Sequence, residues 1–288
     1  MMPVSIQFFC PRWGSEHFSW EEFCINVKNE GYNGIEYAIP HTATNKELDA
    51  AWNAAAKHGL LMLPQHFDTY TADFSAHYDA YCAWLQRIKA YKPFKVNSQT
   101  GKDFFSFEQN RQLIDAAAAS GVPVVHETHR NKFSYAAHVT QVYLQKIPHL
   151  QLTLDASHWV CVAESYLDDQ PVAMQLAIER TAHIHARVGY PEGPQVPDPR
   201  AAEWQEALER HLHWWDKVVQ RIALQSPGAA LTISPEFGPF PYMVHLPGTG
   251  RAVTDQWEVN SYMMHLLRTR YSLDNESVSK AHMAPPAL

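Results

Sequence analysis

Four short motifs end in, or begin with, a group able to bind a cation. Glu127 sits in His-Glu-Thr-His-Arg (126–130), Asp155 opens Asp-Ala-Ser-His-Trp (155–159), His185 closes His-Ile-His (183–185) and Glu236 lies in Ser-Pro-Glu-Phe (234–237). Three carboxylates brought to one place without a counter-charge repel one another and rise in pKa until a cation neutralises them. A divalent metal ion supplies that charge. Three carboxylates and one imidazole favour Mn²⁺, Mg²⁺ or Co²⁺ over a thiolate-type zinc site, with Zn²⁺ still acceptable. Four protein ligands on a six-coordinate ion leave room for the carbonyl and neighbouring hydroxyl of an α-hydroxy ketone or aldehyde, whose α-carbon then loses a proton more easily.

Whether these residues meet depends on the elements that carry them. Strand-like runs at 4–9, 34–39, 60–66, 95–99, 122–128, 151–155, 183–188 and 231–236 alternate with amphipathic stretches at 20–30, 46–58, 74–91, 108–120, 134–146, 172–181, 202–225 and 255–270. Gly31, Gly59, Gly121 and Pro148 stand just past helix ends, where the chain must leave the helical conformation. Eight successive βα units predict a single (β/α)₈ TIM barrel over residues 1–271, followed by a C-terminal tail, 272–288. A doubly wound open sheet would carry a Gly-rich dinucleotide loop after its first strand. This chain reads Pro-Arg-Trp-Gly-Ser there.

In a barrel strand alternate side chains face the interior, and functional groups gather at the C-terminal ends. Parity turns Lys95, Asn97 and Gln99 inward from the fourth strand, and Val125, Glu127 and His129 from the fifth. It does the same for Gln151, Thr153 and Asp155 in the sixth, His183, His185 and Arg187 in the seventh, and Thr232, Ser234 and Glu236 in the eighth. Asn97, Glu127, Asp155, His185 and Glu236 thereby converge on one mouth. A single interior Glu or His is more often a locally satisfied core residue than a ligand, but that reading fails for three carboxylates and a histidine together.

Composition sets the remaining bounds. The 288 residues are 46% hydrophobic and 18% charged, with 17 His, four Cys and a net charge of −7 from 23 basic and 30 acidic residues. That charge, without any basic stripe, argues against a nucleic-acid partner. Cys10, Cys24, Cys82 and Cys161 have no metal-binding or paired spacing, which points to a reducing compartment. The first residues lack a basic, apolar leader and no run approaches a membrane span, so a cytoplasmic protein with no membrane partner is expected. Among second-tier residues, Trp13, Phe67, Trp159 and Tyr190 follow strand ends and are candidates for stacking on a sugar. His66 and His129 are candidates for the mouth, whereas His211 and His213 are expected to be solvated on a polar helix.

The four motifs, with Gly31-Tyr32-Asn33-Gly34-Ile35-Glu36 as a second strand, resemble the xylose-isomerase-like TIM-barrel superfamily of sugar isomerases and epimerases over about residues 4–270. The resemblance to ketose 3-epimerases implies one bound divalent metal ion, Mn²⁺ foremost, held by Glu127, Asp155, His185 and Glu236. It further implies Glu127 and Glu236 as the acid/base pair, and His158 and Arg187 as holders of substrate oxygens. After the metal His those enzymes carry Gly-Glu-x-Asn-Arg, whereas this chain reads Ala-Arg-Val-Gly-Tyr-Pro-Glu-Gly-Pro-Gln at 186–195. The substrate is therefore left open, as is the possibility of a homo-oligomer. The expected activity is a sugar isomerase or epimerase acting on a small carbohydrate. A keto-sugar lyase or hydratase would use the same site. An apurinic-endonuclease-like enzyme would need a fourth-strand His and an Asp-x-His that this chain lacks, and a sugar-binding barrel without catalysis is the remaining alternative.

Overall fold

The computed structural model describes residues 4–67, 71–225 and 230–281, with side chains to Ser272. Helix starts follow local chemistry. Ser19, Thr44 and Ser106 each accept a hydrogen bond from the backbone three residues on, while Glu22, Glu47 and Gln109 reach back to the capping residue's own N–H. These capping boxes satisfy donors that the first helical turn leaves unpaired.

The strands are β1 (Ser5–Pro11), β2 (Gly34–Ala38), β3 (Leu61–His66), β4 (Val96–Ser98), β5 (Val124–Glu127), β6 (Leu152–Leu154), β7 (Thr181–His185) and β8 (Ala230–Ser234). All pair in parallel in chain order, and β8 closes on β1 with Ile6 opposite Leu231. The helices are α1 (Trp20–Glu30), α2 (Asn45–Lys57), α3 (Phe74–Lys89), α4 (Phe107–Ala119), α5 (Ala137–Lys146), α6 (Ala156–Ala163), α7 (Pro171–Arg180), α8 (Gln205–Gln225) and α9 (Gln256–Ala281). This is a single (β/α)₈ barrel, as the alternation of apolar runs predicted.

Two elements depart from expectation. The short helix α6 follows β6 directly, because Asp155 caps it by accepting from the Ser157 N–H. Helix α9 runs past residue 270 to Ala281, so the expected tail begins as helix, while residues 282–288 lie outside the described residues. No helix among the described residues is long and apolar enough to cross a membrane.

Outside the wall, Leu152, Leu154, Ile184, Leu231 and Ile233 pack in one apolar shell with Trp214, Trp215 and Val218 of α8. His211 belongs to this buried layer rather than to solvent. It is fully enclosed, its Nδ1 meets the Ala207 carbonyl at 2.8 Å, and its Nε2 accepts the Gly189 N–H at 3.3 Å. It thus ties α8 to the loop after β7. Inside the wall the filling is polar: Lys95 Nζ donates to the Ala182 carbonyl at 2.6 Å and to Thr232 Oγ1 at 3.0 Å. The partners matter because a buried polar group without one costs several kcal/mol.

Burial pushes His66 and His126 down to about 3 and His211 to about 4, so all three are neutral in the folded chain at neutral pH. Unfolded, they titrate near 6.5. The stability they contribute is complete above that value and is lost as pH falls towards 4. The slope approaches roughly 1.4 kcal/mol per pH unit for each histidine. The midpoint of urea unfolding should fall markedly between pH 7 and pH 5; a midpoint unchanged over that range contradicts the neutral, buried assignment.

Candidate metal centre

Register brings the donors together. Thr153 pairs with His183, and His185 with Ser234. Two residues beyond Thr153 and Ser234 stand Asp155 and Glu236, at the end of the wall where His185 also lies. Ligand atoms of Glu127, Asp155, His185 and Glu236 all fall within 4.8 Å of one another, and all four residues are buried.

His185 is the informative member. Its Nε2 lies 2.9 Å from Glu36 Oε1. Its Nδ1 lies 2.9 Å from Glu236 Oε2 and 3.7 Å from Glu127 Oε1, yet forms a hydrogen bond with neither. A carboxylate accepts only, so Nε2 carries a proton towards Glu36, and Nδ1 turns a buried, unpartnered nitrogen to three carboxylates. A hard divalent cation fits this donor set, and the carboxylate behind the imidazole is the usual support for a metal-binding histidine.

The charges point the same way. Burial raises Glu127 to about 7, with Glu236 and Asp155 adding to the rise and His185 opposing it. Burial also raises Asp155, against the pull of Arg187. For His185 burial disfavours the charged ring, but Glu236, Glu36 and Glu127 outweigh it and hold the pKa well above the usual value. Burial likewise works against ionised Glu36, and His185 and His183 overcome it. Glu127 and Asp155 hold protons more readily and His185 keeps its proton more tightly, which makes up part of a shortage of positive charge.

Arg187 supplies part of that charge. Its Nη2 contacts Asp155 Oδ2, lies 3.7 Å from Glu236 Oε2 and donates to His158 Nε2 at 2.7 Å, while its Nε donates to Ser157 Oγ at 3.2 Å. With Nε2 thus occupied as an acceptor, His158 carries its proton on Nδ1, which is buried without a partner. The His129 ring lies tilted against His158, centroids 4.0 Å apart, and its Nδ1 meets the Arg130 carbonyl at 2.6 Å.

A cavity of about 550 Å³ opens over these groups, with Gln65, Gln99, Arg187 and Glu236 on its polar side and Trp13 and Tyr242 among its aromatic walls. Trp13 is fixed by its neighbours. A Cβ on Gly238 would fall 2.2 Å from the Trp13 ring, and Tyr242 meets that ring edge-on at 5.3 Å. Tyr242 in turn lies 4.9 Å from the Arg187 guanidinium and receives a hydrogen bond from Arg130 at 3.3 Å.

Other expected mouth residues lie elsewhere. On β3 it is Gln65 that faces inward, donating to Glu127 at 3.0 Å and Glu236 at 3.4 Å. His66, one residue on, therefore points outward and packs between Tyr81 and Trp84, each 4.9 Å away. Trp159 is fully buried on α6 and donates to the Ser134 carbonyl at 2.8 Å. Early onset of that helix turns its ring into the shell. Tyr190 packs at a tilt against Trp204, centroids 4.8 Å apart, outside the cavity over the donors. Asn97 lies beneath the donors, giving its amide hydrogens to Glu36 at 3.0 Å and Glu127 at 2.9 Å and accepting from Thr153 at 2.7 Å. Glu36 and Gln65 were not singled out from sequence, although strand parity applied to β2 and β3 would have found both. Tyr242 carries no such signal.

Asn97→Leu should cost about 3–5 kcal/mol, because it strips hydrogen bonds from two buried carboxylates and a buried hydroxyl. Chemical denaturation measures this; a loss below about 1 kcal/mol would show that Asn97 does not brace the centre.

No protein-family model and no curated protein matches the sequence. Solved structures do. A probable 3-DHS dehydratase, AsbF, involved in petrobactin synthesis in Bacillus anthracis, aligns over 93% of this chain and 99% of its own, with 17% identity and a TM-score of 0.55. Endonuclease IV from Thermus thermophilus aligns over 93% and 99%, with 12% identity and a TM-score of 0.55. The 3-keto-D-glucoside 4-epimerase YcjR of E. coli, in its apo form, aligns over 92% and 100%, with 12% identity and a TM-score of 0.55. At these identities the likeness is one of fold, the closed eight-stranded parallel barrel.

Proposed function

We propose that this xylose-isomerase-like barrel is a divalent-metal-dependent enzyme that moves a proton at the carbon beside the carbonyl of a keto-sugar or related small carbohydrate, as an isomerase or epimerase. The observation that carries the reading is the buried set Glu127, Asp155, His185 and Glu236, with His185 Nδ1 unpartnered among the carboxylates and a cavity above. Three carboxylate charges against the single guanidinium of Arg187 leave an excess that a divalent ion cancels. The donor set, three carboxylates to one imidazole, favours Mn²⁺. When bound, the ion would polarise a substrate carbonyl and lower the cost of negative charge on its oxygen.

The chain's own residues supply the rest. Glu127 and Glu236 are the acid/base pair, and the Gln65 amide that reaches both keeps their carboxylates apart and aimed. Arg187, gripped by Asp155 and Ser157, and His158 hold substrate oxygens, with His129 beside them. Trp13 and Tyr242 offer aromatic faces to the apolar side of a sugar ring and exclude water from it. The likeness to a 3-keto-D-glucoside epimerase agrees with this substrate class at the level of fold. A net charge of −7 disfavours DNA as substrate despite the likeness to endonuclease IV.

One observation favours a second reading. The buried, unpartnered Nδ1–H of His158 is suited to donate a hydrogen bond to a departing hydroxyl, and the proton taken from the α-carbon by Glu127 or Glu236 would leave with that hydroxyl as water, turning the same proton abstraction into a dehydration. The likeness to a probable dehydratase is consistent with it.

Incubating the Mn²⁺-loaded protein in D₂O with a panel of ketoses and keto-glycosides should incorporate deuterium at the α-carbon. Glu127→Gln and Glu236→Gln should each slow that exchange by about 10²–10⁴. Exchange retained at full rate in either folded variant overturns the assignment. Loss of water or of an aglycone from the product selects the second reading.

A further inference from the structure

Beneath the four donors the barrel interior holds a second carboxylate–imidazole group that does not line the cavity. Glu36 of β2 is 2% exposed. Its Oε1 lies 2.9 Å from His185 Nε2 and accepts the Asn97 amide at 3.0 Å, and its Oε2 lies 3.3 Å from His183 Nε2. His183 Nδ1 lies 2.7 Å from Thr232 Oγ1, and that hydroxyl accepts from Lys95 Nζ at 3.0 Å.

The two ends of this run have fixed directions. Lys95 has only donors, so Thr232 Oγ1 accepts from it, and His183 Nδ1 lies between that hydroxyl and the Thr232 carbonyl, 3.0 Å away, which only accepts. The other nitrogen of the ring, Nε2, faces Glu36. Glu36 has only acceptors, so its Oε1 accepts from His185 Nε2, while its Oε2 packs against the His183 ring. The run begins on a buried cation and ends on the back of the imidazole whose front faces the metal donors. A glutamine at position 36 could present an N–H to His185 and reverse its tautomer; a carboxylate cannot.

We infer that Glu36, supported by His183, Thr232 and Lys95, is a positioning residue of the metal centre: it holds the proton of His185 on Nε2 and so commits Nδ1 to the cation. Lys95, at the far end of the run, offsets the buried charge of Glu36, so that this carboxylate need not share the divalent ion with the other three. Glu36 does not line the cavity, and it reaches the centre through its hydrogen bonds with His185 and Asn97. The inference rests on the metal-dependent reading above and extends it to the interior.

Calorimetric titration of the full-length chain with Mn²⁺ alone tests it, with far-UV circular dichroism confirming the fold of each variant. Glu36→Gln should bind Mn²⁺ about 10–100-fold more weakly than wild type, and with Co²⁺ as probe its visible absorption should change shape. A folded Glu36→Gln with affinity within twofold of wild type and an unchanged Co²⁺ spectrum overturns the inference while leaving the metal reading intact. A wild-type chain that binds no Mn²⁺ overturns both. Histidine ¹⁵N NMR of wild-type protein loaded with diamagnetic Zn²⁺ decides the matter without any variant. Nε2 of His185 should be protonated, and an Nδ1–H tautomer there contradicts the assigned role.

Discussion

Negative charge held inside a closed barrel is the constraint around which this molecule is organised. Glu127, Asp155 and Glu236 face one another with almost no exposure, and Glu36 lies just below them. Carboxylates seldom survive burial unless each is paired, hydrogen-bonded or bound to a cation. Much of the polar interior answers that demand. Asn97 and Gln65 bridge pairs of carboxylates, Arg187 grips Asp155, His185 stands between Glu36 and Glu236, and Lys95 lies at the base. The remaining excess of negative charge, together with an imidazole nitrogen left without a partner, is what a divalent ion would satisfy.

The barrel makes such a concentration tolerable. Strands whose outer faces carry Leu, Ile and Val pack into a continuous shell with α8 and its tryptophans, and that apolar shell supplies stability that the polar interior does not. Closure of β8 on β1 leaves no strand edge, so every inward side chain has neighbours on both sides. Short loops at strand ends then do two tasks at once. Asp155 caps α6 while offering its other oxygen to Arg187 and the centre, and the segment after β7 is pinned by Gly189 to the buried His211.

Strand parity made much of the fold and centre readable in advance. Leu152, Thr153, Leu154 and Asp155 alternate between shell and interior as a barrel strand must, and the same holds for His183 to Arg187 and for Thr232 to Glu236. His66 was misjudged because a histidine at a strand end attracts attention, while Gln65 beside it has the inward parity. Trp159 was misjudged because α6 starts immediately after Asp155, so a side chain expected in a loop sits on a helix and turns into the core. Tyr242 could not have been found. Its contact with Trp13 and Arg187 depends on the path of a long loop after β8 and on the absence of a Cβ at Gly238, neither of which has a periodic signature.

The most direct test of this account is metal stoichiometry. Elemental analysis of the purified chain after Mn²⁺ loading and exhaustive dialysis, alongside Asp155→Ala with its fold checked by circular dichroism, reports whether the four donors act as one centre. The account predicts a single equivalent of divalent metal per chain in the wild type and its loss in the variant. No retained metal in the wild type, or an equal content in Asp155→Ala, would contradict it.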